Sequence, residues 1–472
     1  MAQNTLFSKE LNVVNIGLKI FNDTLEEQGA KVCHVSWRPP AGGNQEAARL
    51  LDKYEDRINA ANEKVLSIYN DGQPVLLACK QAHEIFDDVK ENTIFHAGPP
   101  ITWERMCGPM KGAILGAIRF EGLAKTEAEA EELVKAGKID LRPNHPHGHV
   151  GPMTGMITYH MPIFVVKNEA FGNFAYSSIN EGLGKVMRFG ANDDEVLERL
   201  AFFRDSLAPI LDAAIKARGE EGINLRVIIS QALTMGDELH QRNIAASSLF
   251  TRIICPLIAA LDGFTEEEKS RAIAFICGND QFFLNLAMAS AKAITDPAHG
   301  VKDSSIVTVM CRNGTDFGVK VAATGEEWFV AQANMPEGLY FPGFTADDAG
   351  RDMGDSAILE VIGLGGIAMA ASPAVVRFVG AGSQADAVRY TMDMGTISAG
   401  RSTQFQISTM NFDGTPLGLD IRKIVENGIV PVINTGIAHK EAGIGQIGAG
   451  VVKAPMDCFT QALDAFVKTL EG

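Results

Sequence analysis

Apolar and polar positions alternate in blocks over the first hundred residues, and the blocks predict strands and helices in turn. The predicted elements are a buried strand at 11–18 (LNVVNIGL), a helix at 19–29 ending at glycine, a second strand at 30–37 (AKVCHVSW), one long amphipathic helix from Gln45 to Asn70, and strands at 74–82 and 92–98. Strands alternating with helices predict a parallel sheet covered by helices. The fold class expected for this part is therefore a Rossmann-like α/β lobe.

The pattern changes twice further along the chain. Helical spacing dominates 191–298, whereas 299–472 combines β-rich runs with many glycines, and the Asn-Gly pair inside 304–323 (SSIVTVMCRNGTDFGVKVAA) predicts a hairpin. We therefore expect an α/β protein in four parts: a Rossmann-like lobe (1–95), an α/β segment (96–190), a mainly helical domain (191–298) and a Gly-rich α/β domain (299–472).

Charge and composition exclude several classes of partner. The 472 residues carry a net charge of −16, which disfavours binding to nucleic acid or to an anionic membrane surface. A small anionic substrate needs only local cations and backbone N–H groups, so it stays possible. Seven scattered cysteines and an N-terminus without a signal-peptide pattern predict a cytoplasmic protein with reduced thiols.

The stretch 93–113 (TIFHAGPPITWERMCGPMKGA) concentrates chemistry at the end of a predicted strand. His96 ends that strand, and Thr102 is expected to cap a helix starting near Trp103. A strand end followed by a helix N-terminus predicts an anion-binding corner. Its expected substrate-binding residues are Glu104, Arg105 and Lys111. The competing interpretation is a proline-stiffened connection with a buried histidine.

The stretch 233–243 (LTMGDELHQRN) places acids and a histidine among apolar neighbours. In a helix, Asp237 and His240 would share one face. A solvated face with ordinary ion pairs is the alternative, but charged groups in an apolar setting are costly unless they are paired or functional. We therefore predict catalytic roles for Asp237, Glu238 and His240, and a substrate contact for Asn243.

Histidines 145, 147 and 149 alternate in a loop that also contains proline and glycine. This spacing is compatible with zinc, but a flexible loop is favoured, and we predict neither a metal nor a cofactor. Of the three, His149 is expected near the ligand.

The C-terminal third supplies the remaining candidates. They are Arg312 and Asn313 at the hairpin tip, Asp355 and Ser356 as a helix cap suited to an anion, and Asn434, His439 and Lys440 before a run of glycine turns. Among these, His439 is predicted to be catalytic and the others to bind substrate.

Six segments in order resemble the YahG/YlbE family. They are HAGPPITWERMCGPMKGA, GANDDEV, MGDELHQRN, RNGTDFG, GDSAILEVIGLGGIAMAASPA and PVINTGIAHKEAGIGQIGAGVV. The YlbE branch, also called AllG, is a subunit of oxamate carbamoyltransferase, which converts oxalurate and phosphate into oxamate and carbamoyl phosphate. The resemblance implies FdrA-type and AllH-type partner subunits in a homo- or hetero-oligomer. It carries no residue roles.

The expected function is therefore a carbamoyltransferase subunit, with phosphate held by Arg105 and Lys111, a proton moved by His96, and a substrate carboxylate clamped by Arg312. The S-T-R-T-R phosphate motif of other carbamoyltransferases is not matched at 400–405 (GRSTQF). Two alternatives are a non-catalytic subunit of an FdrA-type complex and a ligase that uses acyl-CoA or a nucleotide.

Overall fold

The computed structural model describes residues 12–35, 37–380 and 382–471. Its α-helices are α1 Lys19–Glu27, α2 Gln45–Lys53, α3 Glu55–Asp71, α4 Gly108–Phe120, α5 Glu127–Lys135, α6 Asp194–Phe202, α7 Ala208–Lys216, α8 Leu225–Thr234, α9 Ile244–Ala259, α10 Glu266–Cys277, α11 Phe282–Thr295, α12 Ile358–Val361, α13 Pro373–Phe378, α14 Gln384–Thr396, α15 Ile421–Asn427 and α16 Met456–Thr469. One π-helical turn, Phe203–Leu207, joins α6 to α7.

The strands are β1 Asn12–Ile16, β2 Lys31–Val35, β3 Pro74–Gln81, β4 Thr93–His96, β5 Asp140–Pro143, β6 Ile157–Thr158, β7 Pro162–Asn168, β8 Phe174–Ser178, β9 Ile223–Asn224, β10 Val307–Asn313, β11 Asp316–Val321, β12 Phe329–Gln332, β13 Glu337–Tyr340, β14 Met353–Gly354, β15 Ser398–Ile407, β16 Asp413–Leu419, β17 Val432–Ala438 and β18 Gln446–Lys453. They form small sheets ordered β1-β2, β12-β11-β10-β14, β13-β18-β17, β15-β16, β8-β7-β3-β9 and β5-β4-β6.

The mixed α/β class is confirmed, but the prediction that the first four strands form one parallel sheet is wrong. β1 and β2 pair in parallel with each other, β3 pairs antiparallel with β7 and β9, and β4 lies between parallel β5 and antiparallel β6. The first strand is also not buried, because Val14 and Ile16 are exposed. Apolar runs indicate that a strand forms, whereas its partners come from distant segments.

Two helix boundaries differ from the prediction. The segment from Gln45 to Asn70 contains two helices, α2 and α3, which meet at Tyr54. The helix expected at Trp103 starts at Gly108, and Thr102 makes no side-chain cap. Proline is tolerated in the first helical turn but not later, so Pro109 fixes the start of α4.

The hairpin at 307–321 is confirmed as β10 and β11, with Gly314 in the turn. Helices dominate the middle region from α6 to α11, also as predicted. The main hydrophobic cluster draws buried side chains from Ala47 to Leu470, so all four predicted parts contribute to it. Their boundaries stay predictions.

In the described ranges, no single helix is long and apolar enough to cross a membrane. The segments Glu266–Cys277 and Phe282–Ala298 pass such a test only as a pair, by length and composition, across a bend of 74°.

Candidate active site

The acidic stretch 236–243 forms a loop between α8 and α9, so the shared helical face predicted for Asp237 and His240 is wrong. The physical reason is backbone conformation, because Gly236 (φ 97°) and Leu239 (φ 71°) lie in the left-handed region. The loop still buries Asp237, Glu238, His240 and Asn243 as a group.

Glu238 and Asp237 hold this loop in shape. The Glu238 carboxylate accepts the backbone N–H groups of His240 (3.1 Å), Gln241 (2.6 Å) and Arg242 (2.6 Å). Asp237 accepts the backbone N–H of Ala246 in the first turn of α9 (2.9 Å) and Arg242 Nε (3.1 Å). Burial raises the pKa of Glu238 to about 7, against the opposing effect of His240. These contacts give both acids a positioning role.

His240 lies at the centre of a hydrogen-bonded chain. Its Nε2 is 2.8 Å from Ser356 Oγ, and its Nδ1 is 2.7 Å from Glu360 Oε1. A carboxylate can only accept, so Glu360 fixes the tautomer with hydrogen on Nδ1, and Nε2 then accepts the hydroxyl proton of Ser356. This arrangement lets His240 take up a proton from Ser356 while Glu360 stabilises the resulting imidazolium.

Glu360 was not among the predicted site residues. It lies on α12 inside the apolar run SAILEVIG, and that setting is the signal that could have found it, since a lone buried acid needs partners. Its Oε1 also accepts the backbone N–H groups of Gly366 (2.9 Å) and Asn434 (3.2 Å), and its Oε2 has no partner among the described residues.

Arg312 is fully buried, and its guanidinium binds protein groups. Nε and Nη2 donate to the Asp352 carboxylate at 2.6 and 3.0 Å, and Nη1 donates to Gly354 O (2.8 Å) and Ser356 Oγ (3.2 Å). The predicted clamp on a substrate carboxylate is therefore wrong, because both edges of the fork are already occupied. Arg312 instead orients Ser356.

Asp355 does not cap a helix facing an anion, contrary to the prediction. Its carboxylate accepts the backbone N–H groups of Gly98 (2.8 Å) and Gly151 (3.0 Å) and the side-chain amide of Asn144 (2.9 Å). Gly98 has φ 85° and lies so close to Arg312 that a Cβ would be 2.7 Å from its carbonyl carbon. Asp355 thus ties the His-Ala-Gly turn to the segment that contains Asn144 and Gly151, and Asn313 at the hairpin tip separately donates to Pro99 O at 3.1 Å.

The predicted anion corner at 96–111 is taken up by protein contacts. His96 is buried with Nδ1 2.9 Å from Ala97 O, and burial lowers its pKa. Arg105 pairs with Asp316 at 2.7 Å, and Lys111 donates to Glu104 O at 3.4 Å. The helix N-terminus predicted to face the anion is displaced to Gly108.

His149 is buried among aromatic rings, and its predicted contact with a ligand stays a prediction. The rings of Phe95, Phe86 and Tyr176 lie 4.5, 4.6 and 5.8 Å away, and burial lowers the pKa of His149 well below its ordinary value. Both of its ring nitrogens are buried and have no hydrogen-bond partner among the described residues.

His145, Cys311 and Asp355 place ligand atoms within 4.8 Å of one another and could hold a metal ion. The thiol and the carboxylate come from segments that the sequence alone does not connect with the histidine. Two observations weigh against an ion: Asp355 already accepts three hydrogen bonds, and burial raises the pKa of the Cys311 thiol well above its ordinary value, which disfavours the thiolate that metals bind. We therefore assign no metal here.

His439 and Lys440 line an open cleft of about 340 Å³, together with Cys107 and Arg351. Lys440 Nζ donates to Asp347 O (2.6 Å), and His439 Nδ1 accepts the backbone N–H of Glu441 (2.9 Å). Burial raises the pKa of the Cys107 thiol to about 11, which disfavours a nucleophilic thiolate. The cleft is lined separately from the His240 chain.

Two small cavities, each about 30 Å³, share Pro152 and Arg188, and the first of them adjoins the His240 chain. The first is lined by Pro152, Met153, Leu183, Arg188, His240, Gln241, Gln281, Leu284, Ser356, Gly436 and Gln446. A larger cleft of about 560 Å³ lies between α2, α3 and α15 and contains none of the predicted site residues. His240 and Ser356 therefore face the first of the two small cavities.

The structure thus brings seven of the predicted residues into one buried hydrogen-bonded network: Asp237, Glu238, His240, Asn243, Arg312, Ser356 and Asn434. Asn243 joins it through His240 O (3.3 Å) and Gln281 (3.2 Å). Glu360 belongs to the network and Arg188 lines the cavity beside it, and neither was predicted.

The described residues therefore combine an α/β fold with a buried chain of Ser356, His240 and Glu360 beside a polar cavity. A family model described as oxamate carbamoyltransferase subunit AllG matches residues 139–356. The chain is 49% identical to oxamate carbamoyltransferase subunit AllG of Escherichia coli (strain K12) over 88% of this chain and 98% of that protein. It is 42% identical to uncharacterized protein YahG of the same organism, over 97% and 98%.

A solved structure is also similar. The crystal structure of a conserved protein of unknown function from Enterococcus faecalis V583 superposes with a TM-score of 0.86 at 45% identity, covering 88% of this chain and 98% of that one. The chain belongs to the AllG-like family, which confirms the resemblance to YahG and YlbE.

Proposed function

We propose that the chain is a carbamoyltransferase subunit that transfers the carbamoyl group of a small N-carbamoyl amide, such as oxalurate, to phosphate. The observation that carries the proposal is the chain Ser356–His240–Glu360, with distances of 2.8 and 2.7 Å, at the edge of a polar cavity. The name of the E. coli relative supports the same chemistry.

The reaction requires a proton to move between the attacking phosphate and the departing nitrogen. A phosphate oxygen attacks the carbamoyl carbon, the carbon–nitrogen bond of the tetrahedral intermediate breaks, and the products are carbamoyl phosphate and oxamate. His240 accepts the phosphate proton through the Ser356 hydroxyl and returns it to the amide nitrogen. Glu360 stabilises the imidazolium, and Arg312 holds Ser356 in place.

The second candidate is a non-catalytic docking subunit, with the catalytic groups on an FdrA-type partner. One surface of this chain favours it. The unit from β1 to β2 exposes large apolar side chains: Val14, Ile16, Leu18, Ile20, Phe21, Val35 and Trp37. Exposed apolar clusters mark interaction sites in proteins that act in complexes. FdrA-type and AllH-type subunits are the partners we propose for this surface.

The test is phosphate-dependent cleavage of oxalurate by the purified chain, measured as carbamoyl phosphate, with and without the FdrA-type and AllH-type subunits. Turnover by the chain alone, or turnover with partners that depends on Ser356, supports the first candidate. Full turnover of the complex with Ser356→Ala places the chemistry on a partner. No cleavage with all three subunits present contradicts both candidates for this substrate.

A further inference from the structure

Arg188 is a buried arginine without a carboxylate partner. It lies in a single helical turn, Met187–Phe189, and only 8% of its surface is exposed. Nε and Nη2 both donate to Gly182 O, at 3.2 and 2.7 Å, and no carboxylate in the described part of the chain forms an ion pair with it. A buried charge of this kind is costly unless a partner arrives from elsewhere.

Arg312 is also buried, and its guanidinium is paired with a carboxylate of this protein. Arg312 makes a bidentate pair with Asp352 at 2.6 and 3.0 Å. Glu181, a carboxylate seven residues before Arg188, is turned toward the backbone instead, where it accepts the N–H groups of Met187 (2.9 Å) and of Arg188 itself (3.0 Å). Burial lowers the pKa of Arg188 to about 10 and the nearby charge of Glu181 opposes this shift, but no carboxylate in the described ranges contacts the guanidinium itself.

The position of Arg188 indicates where the missing anion sits. Arg188 lines both small cavities, and one of them also contains His240 and Ser356. The same cavity is lined by three neutral amides, Gln241, Gln281 and Gln446, which suit the N–H and C=O groups of an amide or urea. A cation beside amides matches a molecule with a carboxylate next to an amide.

We propose that Arg188 binds the carboxylate of a small amide-bearing acid and thereby places its carbonyl group beside Ser356 and His240. Because Gly182 occupies the Nε edge, only the Nη1–Nη2 edge is open, and that edge fits a planar carboxylate bidentately. The link to carbamoyl transfer rests on the proposed function, whereas binding of the anion does not.

The experiment measures ligand binding without turnover, by calorimetry and thermal shift on the full chain. The probes are oxamate, its neutral diamide oxamide, and inorganic phosphate. The variants are Arg188→Gln, Arg188→Lys and, as a matched control, Arg389→Gln, which removes an exposed arginine paired with Asp386. We expect oxamate to bind the wild type and the control, and Arg188→Gln to weaken that binding by at least about tenfold.

Three results would overturn the assignment. They are oxamate binding that is unchanged in Arg188→Gln, oxamide binding as tight as oxamate binding, or binding of phosphate but not of oxamate that depends on Arg188. Failure of oxamate to bind the wild type at millimolar concentration overturns it as well. If Arg188→Gln is poorly folded, Arg188→Lys decides, because it keeps the charge and loses the bidentate edge. Oxamate binding without any turnover leaves the anion site standing and removes only the proposed reaction.

Discussion

At the residue scale, the site depends on one imidazole held between a hydroxyl and a carboxylate. Ser356 and Glu360 lie on either side of His240, and all three side chains are buried. Burial keeps water from competing for these hydrogen bonds, so each atom has a defined donor or acceptor role. The roles of individual atoms can therefore be tested by substitutions that change charge but not shape.

Glu360→Gln is the sharpest of these substitutions. A glutamine oxygen can still accept the three donors at Oε1, so we expect a folded protein, but a neutral amide no longer stabilises the imidazolium. Turnover should fall by roughly 10²- to 10⁴-fold in the assay with partner subunits. Glu441→Gln, at an exposed position, is the control. Wild-type turnover in Glu360→Gln would contradict the role given to Glu360.

Glu238 predicts a pH dependence of stability. Its pKa is about 7 in the folded protein, against an ordinary value of 4.5, so the folded state binds more protons between these values. The contribution of Glu238 to the free energy of unfolding should therefore be fully present below pH 4.5 and fall by up to about 3 kcal/mol as pH rises through 7. Urea unfolding at several pH values should show a flatter profile for Glu238→Gln. If the unfolding free energy changes with pH equally in the wild type and in Glu238→Gln, this prediction is refuted.

At the scale of elements, short loops with left-handed glycines position the site, and the regular elements carry them. The 236–243 loop presents His240, and the turn after α12 presents Gly365 and Gly366 to Glu360. Gly365 has φ 57°, and a Cβ there would collide with the Glu360 carboxylate. The turn therefore sets where that carboxylate points.

Gly365→Ala tests this positioning against a matched control. Gly300→Ala introduces the same left-handed strain (φ 79°) where a Cβ has nothing within 4 Å, so it should cost about 1 kcal/mol of unfolding free energy and leave turnover unchanged. Gly365→Ala should cost more and should also lower turnover, because the Glu360–His240 bond is displaced. If Gly365→Ala and Gly300→Ala have the same effect on denaturant unfolding and the same effect on turnover, the turn does not position Glu360.

At the scale of the whole molecule, the apolar N-terminal unit is predicted to hold a partner subunit. Replacing Ile20 and Phe21 with serine removes side chains that are 66% and 60% exposed, so stability should change little. Co-purification with the FdrA-type and AllH-type subunits should weaken, while oxamate binding at Arg188 persists. Unchanged complex formation would exclude this surface as the docking site.

The sequence predicts the existence of many elements but not their partners. The hairpin at 307–321 follows from its Asn-Gly turn and strand pattern, whereas the pairing of β3 with β7 depends on packing between distant segments. Likewise, the charged residues near His240 stand out among apolar neighbours. Glu360 also lies in an apolar run, but only the folded chain shows that it contacts His240 and that Arg188 lacks a carboxylate partner.

The most direct test of the proposed site compares two histidines that the sequence alone ranks equally. Carbamoyl phosphate formation from oxalurate and phosphate should be measured in the reconstituted complex with His240→Gln and with His439→Gln. His240 faces the Arg188 cavity, whereas His439 lines the separate open cleft. We expect His240→Gln to abolish turnover and His439→Gln to retain most of it. Retained turnover in His240→Gln, with loss in His439→Gln, would contradict the account and move the reaction to the open cleft.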